Sequence, residues 1–331
     1  MARKQIVDCN NRVINYLRVS VTDRCNLSCM YCVGDSEFEF IPHENILRYE
    51  EILHLARLFV ERGIEKIRVT GGEPLIRKGI LDFLSRLSKL PGLSELTLTT
   101  NGVLLEEYAS RLKECSVRRL NVSMDTLHRE KFKLITGRDH FDRVWRGIYA
   151  AQKLGFDPIK INVVAMRGVN DDEILDFARL AVESPFHVRF IEFMPVGKNS
   201  PWSEQKFLPI DEIQRRIEAE IPLEVRASGV TEGPAQRFKP RGGQGEIGFI
   251  GAITRHFCAS CNRLRLTASG KLRSCLLSDT EFDLITPLRS NQGDARLLKI
   301  MDEAVRHKAA HHRFKVDDSQ PCGPLMVGIG G

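Results

Sequence analysis

The chain has 331 residues, 42% hydrophobic and 28% charged, with a formal net charge of +6, which is enough apolar material for one large α/β domain with an extension. No run approaches the ~18 apolar residues of a membrane span and no apolar signal region follows Met1-Ala2-Arg3-Lys4-Gln5, so a cytoplasmic location is expected. The charge excess is too small and dispersed to call for nucleic acid, and nine cysteines grouped as two trios and three singles (Cys9, Cys115, Cys322) argue against a disulfide framework.

Residues 16 to 22 alternate apolar and polar and read as a strand. Directly after it stand Cys25, Cys29 and Cys32, spaced C-x3-C-x2-C. A structural zinc or an ordinary four-iron cluster takes four protein ligands, so a trio without a fourth points to a cluster with one iron left open to a substrate. His43 lies eleven residues on in a loop-like stretch and is a poor ligand. Thiols packed as small hydrophobes would not be bracketed by Asp23, Arg24 and Asn26.

Apolar positions Ile52, Leu55, Ala56 and Phe59 predict a helix over 49–62, with Gly63 as its cap. A strand follows at 65–70. Strand patterns then recur at 95–100, 118–124, 158–165 and 187–193, separated by helical patterns at 79–89, 105–114, 128–154 (broken at Gly137) and 171–183. Strand alternating with helix predicts parallel strands joined by right-handed crossovers. Six strands are too few for a closed eight-stranded barrel, so the expected fold is α/β, an open partial (β/α)6 barrel resembling part of a TIM barrel.

An ordinary barrel is filled by apolar side chains. Here Leu17, Val19, Val21, Ile67, Val69, Leu96, Leu98, Leu120, Val122, Ile159, Ile161 and Val163 form one face, which helices must cover. The opposite face carries Arg18, Ser20, Lys66, Arg68, Thr97, Thr99, Arg119, Asn121, Ser123, Lys160 and Asn162. Turned inward, those cations need counter-charges, so the lumen should hold an anion. At the second strand's end, Thr70-Gly71-Gly72-Glu73-Pro74 reads as a strand-to-helix turn whose two glycines let a ligand approach the backbone. Active sites of such barrels lie at this end of the strands.

Residues 196–203 are loop-like, 209–219 helical, and 228–246 rich in Gly, Pro and charge, an extension and not another repeat. It leads to Cys258, Cys261 and Cys275, spaced C-x2-C-x13-C. His256 could complete a Cys3His zinc site here. The terminal Gly330-Gly331 reads by itself as a disordered tail.

Cys25, Cys29 and Cys32 with Tyr31 before the last, and Gly71-Gly72-Glu73-Pro74, resemble the signatures of radical S-adenosylmethionine (SAM) enzymes. The resemblance implies that the open iron of a 4Fe-4S cluster chelates SAM, whose sulfonium is cleaved to a 5'-deoxyadenosyl radical. It places Gly72 and Glu73 at the SAM amino group, Tyr31 near the adenine, and Ser123 and Met194 against the cofactor. No catalytic residue is implied beyond these ligands and contacts.

With both trios present, the chain resembles the GTP 3',8-cyclase family of molybdenum cofactor biosynthesis nearly end to end. That resemblance implies a second 4Fe-4S cluster on Cys258, Cys261 and Cys275 whose open iron contacts guanine. GTP would be held by Arg18, Arg68, Thr99, Lys160, Arg263 and Arg265, with the Gly-Gly tail threaded into the site. The implied division is a radical SAM core over 1–195 and an extension over 196–331 carrying the second cluster, a GTP-binding segment and the tail. Implied partners are an electron donor and a downstream cyclic pyranopterin monophosphate synthase, with no nucleic acid or membrane, and with room for a homodimer. One departure is Val33-Gly34 where family members often have Met-Pro. Rival readings are a radical SAM peptide-modifying enzyme with an auxiliary cluster and a non-catalytic zinc-binding module.

Overall fold

The structure, a computed structural model, describes residues 5–33, 39–197, 200–227, 233–312, 314 and 326–330. Its centre is six strands in chain order: β1 (Tyr16–Ser20), β2 (Lys66–Thr70), β3 (Glu95–Thr100), β4 (Arg119–Ser123), β5 (Ile159–Ala165) and β6 (His187–Glu192). Each pairs in parallel with the next. Between them run α1 (Tyr49–Glu61), α2 (Ile80–Ser88), α3 (Leu105–Glu114), α4 (Arg129–Thr136), α5 (Phe141–Lys153) and α6 (Ile174–Glu183). The expected α/β repeat is present. Gly137, at φ +69°, ends α4 in the left-handed conformation, which is why the long helical pattern after β4 divides there.

The outward face drives the packing. Val19, Ile67, Val69, Leu98, Leu120 and Val122 are all fully buried in one continuous core with the apolar sides of the helices. Truncating a residue such as Leu120 to Ala would cost about 2–5 kcal/mol. Among the described residues, no helix is long and apolar enough to cross a membrane.

The extension prolongs the same sheet, which the sequence reading did not anticipate. After α7 (Ile210–Glu218) come β7 (Leu223–Arg226), β8 (Gln236–Pro240) and β9 (Glu246–Ile250). They form an antiparallel meander whose last strand pairs in parallel with β6. On the other flank β10 (Arg263–Leu266) pairs in parallel with β1 and leads into β11 (Lys271–Arg273) and β12 (Phe282–Asp283). The sheet thus has twelve strands, with both free edges of the six-strand unit covered by the extension. Helices α8 (Ile285–Arg289), α9 (Asp294–Arg306) and α10 (Met326–Ile329) complete the described chain.

Register aligns the inward residues. Arg18 on β1 lies opposite Arg265 on β10 and Arg68 on β2, and Arg68 lies opposite Thr97 on β3. Three arginines side by side across neighbouring strands repel one another unless an anion or a dipole compensates.

Candidate functional site

The concave face of the sheet encloses one cavity, lined by residues from every strand of the six-strand unit and by β10. Both cysteine trios open into it, as do Tyr31, Gly72, Ser123, Met194, Arg18, Arg68, Thr99, Arg263 and Arg265. Segments more than 200 residues apart in sequence therefore meet because β10 docks beside β1. Of the residues singled out in the sequence, Glu73 and Lys160 are not part of the lining.

The first trio sits on a loop after β1 that is pinned at several points. Ser28 N–H donates to Thr136 O at 2.9 Å, and Met30 N–H to Ile135 O at 2.9 Å, anchoring the loop on α4. The glycine segment lies directly along it: Gly72 N–H donates to Thr22 O at 2.7 Å and Glu73 N–H to Arg24 O at 2.8 Å. A Cβ on Gly72 would stand 2.3 Å from Arg24 O, and one on Gly71 2.7 Å from Thr22 O. The sequence reading reserved this close approach for a ligand; the cysteine loop's own backbone takes it.

Glu73 is fully buried and accepts from Leu75 N–H (3.0 Å), Thr100 Oγ1–H (2.9 Å) and Asn101 N–H (2.6 Å). Burial pushes its carboxyl up to about 7 against those three donors. Asn101, fixed in this way, turns its Nδ2 to Asn26 Oδ1 at 2.7 Å and to Cys25 Sγ at 3.6 Å. Glu73 thus reaches the first trio through Asn101. On the other side Tyr31 O–H donates to Asp125 Oδ2 at 2.7 Å, and Asp125 Oδ1 accepts from Val164 N–H at 2.8 Å. Burial raises Asp125 to about 6.

Burial also raises the thiols of this trio, Cys25 to about 11, Cys32 to about 12 and Cys29 well above the ordinary range, the last with help from Asp125. Such thiols ionise when a metal supplies the positive charge. Cys261 behaves in the opposite way: burial would raise it, but the charges of Arg263 and Lys308 bring it down to about 6. Arg263 Nη2 and Lys308 Nζ stand 3.7 and 3.5 Å from its sulfur.

A single zinc at ~2.3 Å from each sulfur holds thiolates roughly 4 Å apart. Among the described residues, the donors that all come within 4.8 Å of one another are His256, Cys258 and His312, and neither cysteine trio does so. His256 and His312, their rings 4.4 Å apart, gather beside Cys258.

Between the trios the cavity wall is polar and incompletely satisfied. Thr99 Oγ1, Asn121 Oδ1 and Asn162 Oδ1 are buried without a partner among the described residues, and all three residues line the cavity. Unpaired buried polar atoms cost about 1–3 kcal/mol each, so the wall is built for a polar ligand. Its cations are under the same strain. Burial lowers Arg18 to about 10 and Arg189 to about 9, with Arg68 adding repulsion in both cases. Lys160, buried behind the lining, is lowered to about 5 by burial and then by Arg189, Arg68, Arg119 and Lys66.

The chain's own end enters this space. Met326 and Val327 line the cavity, and Arg265 Nη1–H donates to Gly330 O at 2.8 Å. Gly330, at φ +82°, lies against Ser20 and Thr70 at the ends of β1 and β2. Gly34, Cys322 and Gly331 fall outside the described residues. Cys9 is exposed, whereas Cys115 is buried and faces Leu81 O at 3.3 Å; neither lines the cavity.

Sequence reasoning missed Asn101, Asp125, Arg189 and Lys308. Arg189 alternates with Val188 and Phe190 on β6, so extending the polar face by one strand would have found it. Asp125 stands two residues beyond Ser123, at a strand end like the others. Nothing local marks Lys308.

The profile of the radical SAM superfamily matches residues 19–181, and that described as Molybdenum Cofactor Synthesis C matches residues 186–314. The GTP 3',8-cyclase of Moorella thermoacetica is 47% identical over 97% of this chain and 99% of its own length. That of Desulforamulus reducens is 46% identical over 98% and 100%, and that of Geobacter sulfurreducens 45% over 99% and 100%. Among solved structures, Streptococcus suis SuiB bound to S-adenosylmethionine superposes with a TM-score of 0.58 at 16% identity. It covers 88% of this chain and 69% of SuiB, a likeness of fold alone.

Proposed function

The chain belongs to the GTP 3',8-cyclase family, and from that premise we propose that it cyclises GTP to (8S)-3',8-cyclo-7,8-dihydroguanosine 5'-triphosphate in the first step of molybdenum cofactor biosynthesis. Its radical SAM membership carries S-adenosylmethionine and an iron-sulfur cluster as cofactors. The observation that carries the proposal is the single cavity onto which two cysteine trios and a row of arginines converge.

Cys25, Cys29 and Cys32 would hold the SAM-binding cluster, and Cys258, Cys261 and Cys275 would hold a second. Six cysteines opening on one cavity, the buried thiols of the first trio and the unpaired oxygens of the wall fit that occupancy. Bound SAM supplies a 5'-deoxyadenosyl radical. Everything else is positioning and electrostatics. Tyr31, Gly72, Ser123 and Met194 bound the SAM pocket; Glu73 and Asp125 keep its wall in register through Asn101 and Tyr31. Arg18, Arg68, Arg263 and Arg265 offer guanidinium forks to the triphosphate and guanine, and Thr99 donates or accepts beside them. Lys160, held low by burial and its cationic neighbours, would gain its charge behind this wall when the triphosphate binds. The ribose C3' hydrogen would thereby be presented for abstraction; the C3'–C8 bond would form at the expense of the guanine C8=N7 π bond, and one electron from the electron donor with one proton would complete the 7,8-dihydro product.

In this reading residues 1–195 form the radical-generating core and 196–331 supply the second cluster, the GTP-binding arginines and the tail. The enzyme works in the cytoplasm with an electron donor. Its product goes to a cyclic pyranopterin monophosphate synthase. Cys261→Ser tests the division of labour: 5'-deoxyadenosine should still form from SAM, while cyclised nucleotide falls to background in the same anaerobic assay. Near wild-type cyclisation would reduce the second trio to a structural knuckle.

A further inference from the structure

Lys308 follows α9, 33 residues beyond Cys275 in sequence, yet its ammonium lies inside the second trio's loop. It is 4% exposed. Its Nζ donates to Ser274 O at 2.6 Å, to Arg263 O at 2.9 Å and to Cys261 Sγ at 3.5 Å. An ammonium has three N–H donors, and all three are used. They join the turn that carries Cys261 to the strand end that carries Cys275.

A buried ammonium is costly unless a counter-charge faces it. Among the described residues no carboxylate lies within ion-pair distance of Lys308, and the side-chain acceptor its ammonium reaches is Cys261 Sγ. The main chain that carries Lys308 is itself fixed. Arg12, buried and paired with Asp8 Oδ2 at 2.6 Å, donates to Lys308 O (3.1 Å), Ala309 O (2.8 Å) and Cys258 O (2.7 Å). One guanidinium thereby holds both the lysine's backbone and the first cysteine of the trio. This arrangement fixes one lysine amine against one sulfur.

We propose that Lys308 is the positioning residue of the second trio, tying Cys261 to the strand end before Cys275 through its three N–H donors, and that its hydrogen bond to Cys261 Sγ raises the reduction potential of the cluster bound there. The proposal rests on reading Cys258, Cys261 and Cys275 as cluster ligands. Hydrogen bonds and positive charge at a ligand sulfur stabilise the more negative, reduced form of a cluster. Lys308 touches neither substrate nor cofactor in this scheme and acts through Cys261 as a positioning residue.

The test uses the full chain with Cys25, Cys29 and Cys32 all changed to Ala, so that one cluster remains, reconstituted anaerobically and titrated with EPR detection. Lys308→Met should lower that cluster's midpoint potential, and Lys308→Arg should restore it most of the way. Lys308→Met with a full cluster and an unchanged potential would overturn the proposal. If Lys308→Met instead loses iron, recovery of iron in Lys308→Arg supports the role of the N–H donors. Loss in both variants would assign the residue to packing and overturn it. A parent protein that takes up no iron at all would remove the premise, an outcome distinct from any of these.

Discussion

Arg265 and Gly330 are joined by a 2.8 Å hydrogen bond from guanidinium to carbonyl, although 65 residues separate them. Arg265 is in register with Arg18, which is in register with Arg68, so the tail's carbonyl dipole meets the most crowded cations of the sheet. Gly330 also fits where no other residue does. Its φ is +82°, and a Cβ would come 2.6 Å from Thr70 Cγ2 and 3.0 Å from Ser20 Cβ.

Gly330→Ala should therefore dislodge the tail. The strained conformation costs an L-residue of order 1 kcal/mol or more, and the contact with Thr70 adds to it. Cyclisation of GTP is expected to fall at least about tenfold, equivalent to ~1.4 kcal/mol, with 5'-deoxyadenosine formation from SAM largely kept. Unchanged cyclisation would show that the Arg265 contact has no part in the reaction.

Glu73 gives stability a definite pH dependence. Burial raises its carboxyl from 4.5 to about 7, so the folded protein holds this proton more tightly than the unfolded chain. The associated stability is fully present below pH 4.5 and is lost as pH rises through about 7, an effect on the order of 3 kcal/mol at most. Asp125, raised from 3.8 to about 6, acts in the same direction. Denaturant midpoints measured anaerobically from pH 4.5 to 8 should fall more steeply for wild type than for Glu73→Gln. Parallel curves would mean that Glu73 is not held as described.

Lys160 predicts proton uptake on binding. With its pKa lowered to about 5 by burial and four neighbouring cations, it is neutral at pH 8 in the empty site. A triphosphate placed among Arg18, Arg68 and Arg189 stabilises the ammonium and raises that pKa. Calorimetric titration with GTP at pH 8, where terminal phosphates are already ionised, should report net proton uptake when repeated in buffers of different ionisation enthalpy. Lys160→Met should abolish it. Equal uptake in the variant would move the effect to another group.

The strands β1 to β6 were legible because short apolar and polar alternations recur between helical patterns, and in β1 that alternation sorted Leu17, Val19 and Val21 from Arg18 and Ser20. Local pattern carried the signal there. It failed in the extension, where β7 is almost wholly exposed and β8 sets Arg237 and Lys239 on either side of buried Phe238. These edge strands join the sheet through β9, which pairs with β6, a contact that no local sequence encodes. The site divides in the same way. Cysteine spacing and the glycine segment announced themselves, but Lys160's depth, the Glu73–Asn101–Cys25 relay and the reach of Lys308 to Cys261 arise only when distant segments fold together.

The central claim is that a radical made beside the first trio acts on GTP held against the second. The direct measurement uses GTP deuterated at ribose C3', with SAM and a chemical reductant under anaerobic conditions, and mass analysis of the 5'-deoxyadenosine formed. The predicted result is one deuterium in 5'-deoxyadenosine and an equal amount of 3',8-cyclised nucleotide. Cyclised nucleotide accompanied by 5'-deoxyadenosine free of deuterium would contradict the account, as would deuterium transfer without any cyclised product.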